Sequence, residues 1–201
     1  MKTLVILPTY EERENIVLLI HEIFRYCHDI SVVVVDDNSS DLTWKVVQEV
    51  FERDPRVSVI VNNGKNGIGA AYLTGFRHGL KNHFDFMMTM DADFSHHPKE
   101  IPHFIQKGSQ GDIIIGSRYM TGGGFKSWRL DRLLISKFAN LFCRLFFGLK
   151  CNDYSSGYRG YKKEVAEHIL SQGLISKGYS ALEEILVIGY FRKFKIVEIP
   201  I

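Results

Sequence analysis

Charge of one sign is missing from this sequence: 25 basic and 23 acidic side chains in 201 residues leave a formal net charge of +2. Bulk electrostatics therefore do not make the chain a polyanion binder, and no nucleic-acid partner is expected; any basic site must be local. Cysteine is scarce too. Cys27, Cys143 and Cys151 are odd in number and lack CxxC spacing, which argues against a disulfide framework and a structural zinc site and fits a reducing compartment. Long apolar runs are absent. The opening run from Leu4 to Leu7 meets Pro8 and then acids, too short for a signal-peptide core. Nothing reaches the roughly 18 uncharged residues of a membrane-spanning helix. These absences predict a soluble or peripheral protein. There is no internal repeat and no low-complexity linker, so one domain over residues 1–201 is expected.

What is present is alternation. Short β-branched runs, "TLVIL", "SVVVVD", "RVSVIVN", "FDFMMTMD" and "DIIIGS", are separated by segments of helical period near 13–26, 42–53 and 69–81 and by a short helix after Pro98. This order predicts an α/β fold whose mostly parallel sheet carries helices on both faces. After Tyr119 come the glycines at 122–124, a basic and apolar segment from Trp128 to Lys150, and a mixed tail ending in the strand-like "KIVEIPI". Ligands of such sheets bind beyond the carboxyl ends of the strands, where "PTYEE", "DDNSSD", "NNGKNGIG", "DADFSHH" and "GSRY" stand.

Asp91 and Asp93 are two apart at the end of an apolar run, and on extended backbone they would point the same way and share a divalent ion. Hard oxygen ligands suit Mg²⁺ or Mn²⁺ with positions left for phosphate oxygens. The competing reading makes one acid a helix cap and leaves the other solvated. Ser95 is placed for a hydroxyl contact to metal or phosphate. His97, before Pro98, reads as a helix-start group, and His96 stays open between ligand and surface residue. Asp36 and Asp37 are nucleotide-recognition candidates, while Ser39, Ser40 and Asp41 read as caps of the next helix. "GKNGIGAA" follows the third strand and lacks the register of a dinucleotide fingerprint, so Gly67 and Gly69 read as a tight turn with close backbone approach. Arg118 ends the fifth strand. Arg132 and Ser136, four apart, share a helical face suited to a phosphate. The stripe Leu134, Phe138, Leu141, Phe142 and Leu145 fits a core helix and a membrane-surface helix equally.

Taken in series, "PTYEERENI", "VVDDNSSD", "MDADFSHHP", "GSRY", "WRLDRLLISKFAN", "DYSSGYRGY" and "SKGY" resemble the family-2 glycosyltransferases of GT-A fold, and more narrowly the dolichol- or polyprenol-phosphate mannosyltransferases. The resemblance covers essentially the whole chain. It implies inverting, metal-dependent transfer of a hexose, mannose from GDP-mannose, to a polyprenyl or dolichyl monophosphate. It places Pro8, Tyr10, Glu12, Asp36 and Asp37 in the nucleotide pocket with Gly67 nearby, and Lys177 near the donor phosphates. Asp91 and Asp93 would hold Mg²⁺ or Mn²⁺ and the diphosphate, with Ser95 added to the metal set from its place beside the second acid. Arg118, Arg132 and Ser136 would receive the acceptor phosphate. It also implies a peripheral enzyme at the cytoplasmic face of a membrane. The family continues past Ile201 into a basic segment, so a truncated C-terminus, or an anchoring partner, is expected. Three positions depart from the pattern: Glu11 stands for a frequent asparagine, Ser95 for a glutamine used on metal, and Phe138 for a small residue. Two other readings stay open, a same-fold enzyme using UDP-glucose or a hydroxyl acceptor, and a non-catalytic nucleotide-binding module.

Overall fold

The computed structural model describes residues 1–124, 148 and 151–201. The elements run β1 (Thr3–Thr9), α1 (Ile16–Tyr26), β2 (Ile30–Asp36), α2 (Thr43–Val50), β3 (Val57–Val61), α3 (Ile68–Lys81) and β4 (Phe86–Thr89). A 3₁₀ turn (Pro98–Glu100) leads into α4 (Ile101–Lys107), followed by β5 (Ile113–Ser117), β6 (Arg159–Lys162), α5 (Lys163–Gln172), α6 (Ser180–Phe191) and β7 (Ile196–Pro200).

The strands form a 7-stranded sheet in the order β3-β2-β1-β4-β6-β5-β7. β1 pairs in parallel with β2 and β4, β2 with β3, and β5 with β7. β6 alone is antiparallel to its neighbours, β4 and β5, among the described strands. The mostly parallel α/β sheet expected from alternation is thus present, with one strand that alternation did not reveal. "RGYK" is only four residues long, and its first residue is an arginine that the fold buries completely.

Because successive strand side chains face opposite sides, the continuous apolar runs build two cores. Leu4, Ile6, Val33 and Val35 pack beneath α3, α5 and α6 with Tyr72, Phe76, Ile169 and Ile185. Val5, Leu7, Val32 and Val34 pack beneath α1 and α4 with Ile16, Ile20, Ile23 and Phe104. A fully buried aliphatic side chain of this kind contributes about 1.5–3 kcal/mol. The parallel strands β1, β2, β4 and β5 all end at one edge, which gathers the loops after Thr9, Asp36, Thr89 and Ser117.

Candidate active site

β4 ends at Thr89, so Asp91 and Asp93 sit in a loop rather than on the extended backbone expected for them. The loop is held by two local devices. The carboxylate of Asp93 accepts the backbone N–H of Ser95 at 2.9 Å, and Phe94 between them takes a left-handed φ of 61°. The imidazole Nδ1 of His96 accepts the backbone N–H of Asp91 at 3.0 Å. His96 is buried and stacks on Tyr158 with ring centroids 4.9 Å apart. Burial pushes its pKa down, against the opposing pull of the Asp91 and Asp93 charges. A neutral ring with an acceptor nitrogen is the state this hydrogen bond requires. His96 therefore organises the acidic loop, a role left open by the sequence, while His97 accepts the Lys99 N–H at 3.2 Å and starts the 3₁₀ turn as expected.

The other face of Asp91 is closed by Gly157 and Tyr72. A Cβ built on Gly157 would meet Asp91 Oδ1 at 3.1 Å and the Tyr72 hydroxyl at 3.2 Å, so a side chain here would require the Asp91 carboxylate or the Tyr72 hydroxyl to shift by a few tenths of an ångström. Burial, reinforced by the Asp91 charge, pushes the Tyr72 phenol up, which keeps it protonated beneath the carboxylate. Among the described residues no group of three or more His, Cys, Asp and Glu side chains is placed to hold a metal. Asp91, Asp93 and Ser95 offer only hard oxygen atoms, an incomplete shell of the kind that suits Mg²⁺ or Mn²⁺ shared with phosphate oxygens.

The two acids after β2 are engaged by the protein. Asp36 is fully buried and accepts from Thr9 Oγ1 at 2.7 Å, from the Ser39 N–H at 2.7 Å and from Ser39 Oγ at 2.8 Å. Asp37 is 7% exposed and accepts from Asn62 Nδ2 at 2.8 Å and from the N–H groups of Asn66 at 3.0 Å and Gly67 at 2.9 Å. Asp36 thus ties β1 to β2, and Asp37 shapes the loop after β3. Ser39 and Ser40 do not cap α2. Ser39 Oγ accepts the Glu11 N–H at 2.9 Å, and Ser40 donates to Glu11 Oε1 at 2.9 Å. Asp41 does serve α2, accepting the Thr43 N–H at 2.9 Å.

Pro8 lies in β1 and is partly buried, and Tyr10 just beyond it is 39% exposed, with Lys65 Nζ 3.8 Å from its ring centroid. Glu12 binds the side-chain nitrogen of Asn15 through Oε2 at 2.9 Å. Gly67 has φ 84°, and a Cβ there would collide with the Lys177 carbonyl oxygen, while the Gly69 N–H donates to that oxygen at 3.3 Å. The close approach read from "GKNGIGAA" is real, and its partner is the loop carrying Lys177. That loop is pinned by Glu184, which accepts the N–H groups of Ile175 and Ser176, each at 2.8 Å.

Arg118, at the end of β5, donates Nε and Nη2 to Asp153, each at 2.8 Å, and Nη2 also to Ser155 Oγ at 2.9 Å. Burial of Arg118 opposes its charge, but Asp153 outweighs that and raises its pKa; the Asp91 charge adds to the effect. Arg118, Asp91 and His96 therefore lie within electrostatic reach of one another. Arg132, Ser136 and the apolar stripe lie outside the described residues. Lys65, Gly157 and Asp153 were not singled out from sequence, although Asp153 opens the quoted "DYSSGYRGY".

Residues 4–170 match the family described as glycosyl transferase family 2. The polyprenol monophosphomannose synthase of Mycolicibacterium smegmatis is 40% identical over 202 residues, spanning 100% of this chain and 76% of that protein. The undecaprenyl-phosphate mannosyltransferase of Micrococcus luteus is 35% identical over 201 residues, spanning 100% of this chain and 83% of that protein. In fold, the chain is similar to glucosyl-3-phosphoglycerate synthase from Mycobacterium tuberculosis, solved with Mn²⁺, UDP and glucosyl-3-phosphoglycerate. The TM-score is 0.66 at 17% identity, over 98% of this chain and 68% of that one. The GT-A arrangement expected from the sequence is the fold observed.

Proposed function

Because the chain belongs to glycosyl transferase family 2, we propose that it transfers mannose from GDP-mannose to the phosphate of a polyprenyl monophosphate, with inversion at the sugar carbon. The names of the two curated relatives support a polyprenyl-phosphate acceptor and mannose as the sugar. The observation that carries the reading for this chain is the fixed Arg118 guanidinium within electrostatic reach of Asp91, a cationic post beside an acidic loop at the sheet edge.

Asp91, Asp93 and Ser95 fit Mg²⁺ or Mn²⁺, and the Mn²⁺ in the fold relative supports a divalent ion. When bound, such an ion neutralises the charge developing on the departing diphosphate. The protein's own groups supply the rest. Tyr10 offers an exposed ring face to a base, with Lys65 beside it, and Lys177 stands on the loop packed against Gly67 for the donor phosphates. Pro8, Glu12, Asp36 and Asp37 keep that pocket in shape. Arg118, joined by Arg132 and Ser136, receives the acceptor phosphate.

A phosphate monoester has its second pKa near 6, so the acceptor is already largely a dianionic nucleophile at pH 7. No protein base is required. His96, the histidine nearest the acidic loop, already uses Nδ1 to hold Asp91 and is made less basic by burial, which favours a phosphate acceptor over a hydroxyl. The acceptor's lipid tail keeps the reaction at a membrane surface, and we assign the contact to the basic and apolar segment from Trp128 to Lys150, at the cytoplasmic face. No helix among the described residues is long and apolar enough to cross a membrane.

The test is a pair of variants assayed for donor and acceptor separately. Asp93→Asn is expected to lose Mn²⁺-dependent binding of GDP-mannose. Arg132→Ala is expected to raise the KM for polyprenyl phosphate by roughly tenfold or more through loss of a charge-assisted contact, with the donor KM unchanged. An Arg132→Ala effect confined to the donor would reverse the assignment of the two phosphates.

A further inference from the structure

Asp153 is fully buried in the segment that leads into β6, yet its carboxylate is turned entirely to one arginine and its surroundings. It accepts from Arg118 three times, from the backbone N–H at 3.1 Å and from Nε and Nη2 at 2.8 Å each. Ser155 closes a ring: its hydroxyl accepts from Arg118 Nη2 at 2.9 Å and donates to Asp153 Oδ1 at 3.3 Å. Burial works against the ionised carboxyl, but the hydrogen bonds and charge of Arg118 outweigh it and hold the Asp153 pKa low. Two parallel charge-assisted bonds fix a guanidinium in angle as well as in place.

A second carboxylate holds the first. Glu198 stands on β7 opposite Ile115 of β5, in the same sheet pairing that leads to Arg118. Its Oε1 accepts the N–H groups of Asn152 at 2.9 Å and Asp153 at 3.1 Å, and its Oε2 accepts Asn152 Nδ2 at 2.8 Å. The Cys151 thiol donates to Oε1 at 3.5 Å. The turn at 151–153 is thus gripped by β7, and through Asp153 it grips the side chain at the end of β5.

We propose that Asp153 and Glu198 are positioning residues of the transfer reaction: Glu198 anchors the 151–153 turn, and Asp153 fixes the Arg118 guanidinium that receives the acceptor phosphate. The inference rests on the phosphate-acceptor reading of Arg118. It adds a chain of causation from β7 to the reacting phosphate, so this strand acts on catalysis without touching substrate. An arginine with a wandering head group still attracts the phosphate but no longer presents it in line with the sugar carbon, so turnover falls along with affinity.

The test is kinetic, on the full chain with GDP-mannose saturating and a short-chain polyprenyl phosphate varied. Asp153→Asn is expected to lower acceptor kcat/KM by about 10- to 100-fold, with donor affinity unchanged; Glu198→Gln gives a smaller loss of the same kind. In an Arg118→Ala background both substitutions are expected to add nothing, because the group they orient is gone. Losses of equal size with and without Arg118, or unaltered acceptor kinetics in a folded variant, would overturn the proposal. Should Asp153→Asn not fold, the Glu198→Gln cycle with Arg118→Ala carries the same decision. If the unaltered protein transfers nothing to a polyprenyl phosphate, the functional reading fails, and the Arg118 Nε–H resonance then judges the positioning alone. A shift of that resonance in Glu198→Gln supports it, and an unmoved resonance refutes it.

Discussion

The imidazole of His96 and the backbone of Asp91 are joined by one hydrogen bond, 3.0 Å from nitrogen to nitrogen, in which the ring is the acceptor. A residue five positions downstream thereby folds the acidic loop back on itself and fixes where the Asp91 carboxylate begins. His96→Phe keeps a ring to stack on Tyr158 and removes the acceptor, leaving a part-buried N–H unpaired. Stability is expected to fall by about 1–3 kcal/mol, and Mn²⁺-dependent GDP-mannose affinity by roughly tenfold. Urea unfolding and titration calorimetry check the two effects; undiminished donor affinity in the folded variant would show that His96 does not organise the loop.

Gly157→Ala addresses Asp91 from the other side. The added Cβ, 3.1 Å from Asp91 Oδ1, forces a shift of a few tenths of an ångström in a carboxylate proposed to hold metal. Activity is expected to drop about tenfold with little change in melting temperature, and raised Mn²⁺ should recover part of it. A variant that melts early and ignores Mn²⁺ would assign Gly157 to packing alone.

Glu11 adopts φ 61°, a region that asparagine enters more readily than glutamate. An asparagine at this position would therefore have a backbone reason, independent of ligand. Glu11→Asn is expected to stabilise the chain by up to about 1 kcal/mol, net of the exposed Ser40 contact, with donor affinity retained. Thermal unfolding measures it, and a destabilised variant would mean that the Ser40 hydrogen bond outweighs the backbone preference.

Burial, with the Glu198 charge adding to it, pushes the Cys151 thiol up to about 12. An unfolded cysteine releases its proton near about 8.5. The folded state holds the proton longer, so this contribution to stability is complete below the unfolded value and is lost as pH rises towards the folded one. Between pH 8 and pH 10 the wild type is expected to lose about 2 kcal/mol more than Cys151→Ala, measured as parallel denaturant curves. Equal slopes would place an accessible thiol at the 151–153 turn.

Much of this was legible because short apolar runs and strand-end polar clusters carry their meaning locally. β1 to β5 and the helices between them follow from periodicity, and the ligand edge follows from parallel strands. β6 was not legible, since a four-residue strand headed by Arg159 has no apolar signature; its two terminal guanidinium nitrogens donate to the carbonyls of Leu182 and Tyr154, remote in sequence or across a turn. The same limit hid the role of Asp153, whose partner Arg118 lies 35 positions away. His96 stayed open for a related reason: a sequence shows a histidine but not which ring nitrogen accepts a hydrogen bond from which backbone N–H. Asp36 and Asp37 were read at the right edge, but tertiary contacts with Thr9 and Asn62 decide which way their carboxylates face.

The central claim is tested most directly by incubating the protein with a polyprenyl phosphate and either radiolabelled GDP-mannose or radiolabelled UDP-glucose, with Mn²⁺ or with chelator. The account predicts label in the lipid phase from GDP-mannose with Mn²⁺, loss of that label on chelation, and none from UDP-glucose. Labelled lipid from UDP-glucose alone, or mannosyl transfer undiminished by the chelator, would contradict it.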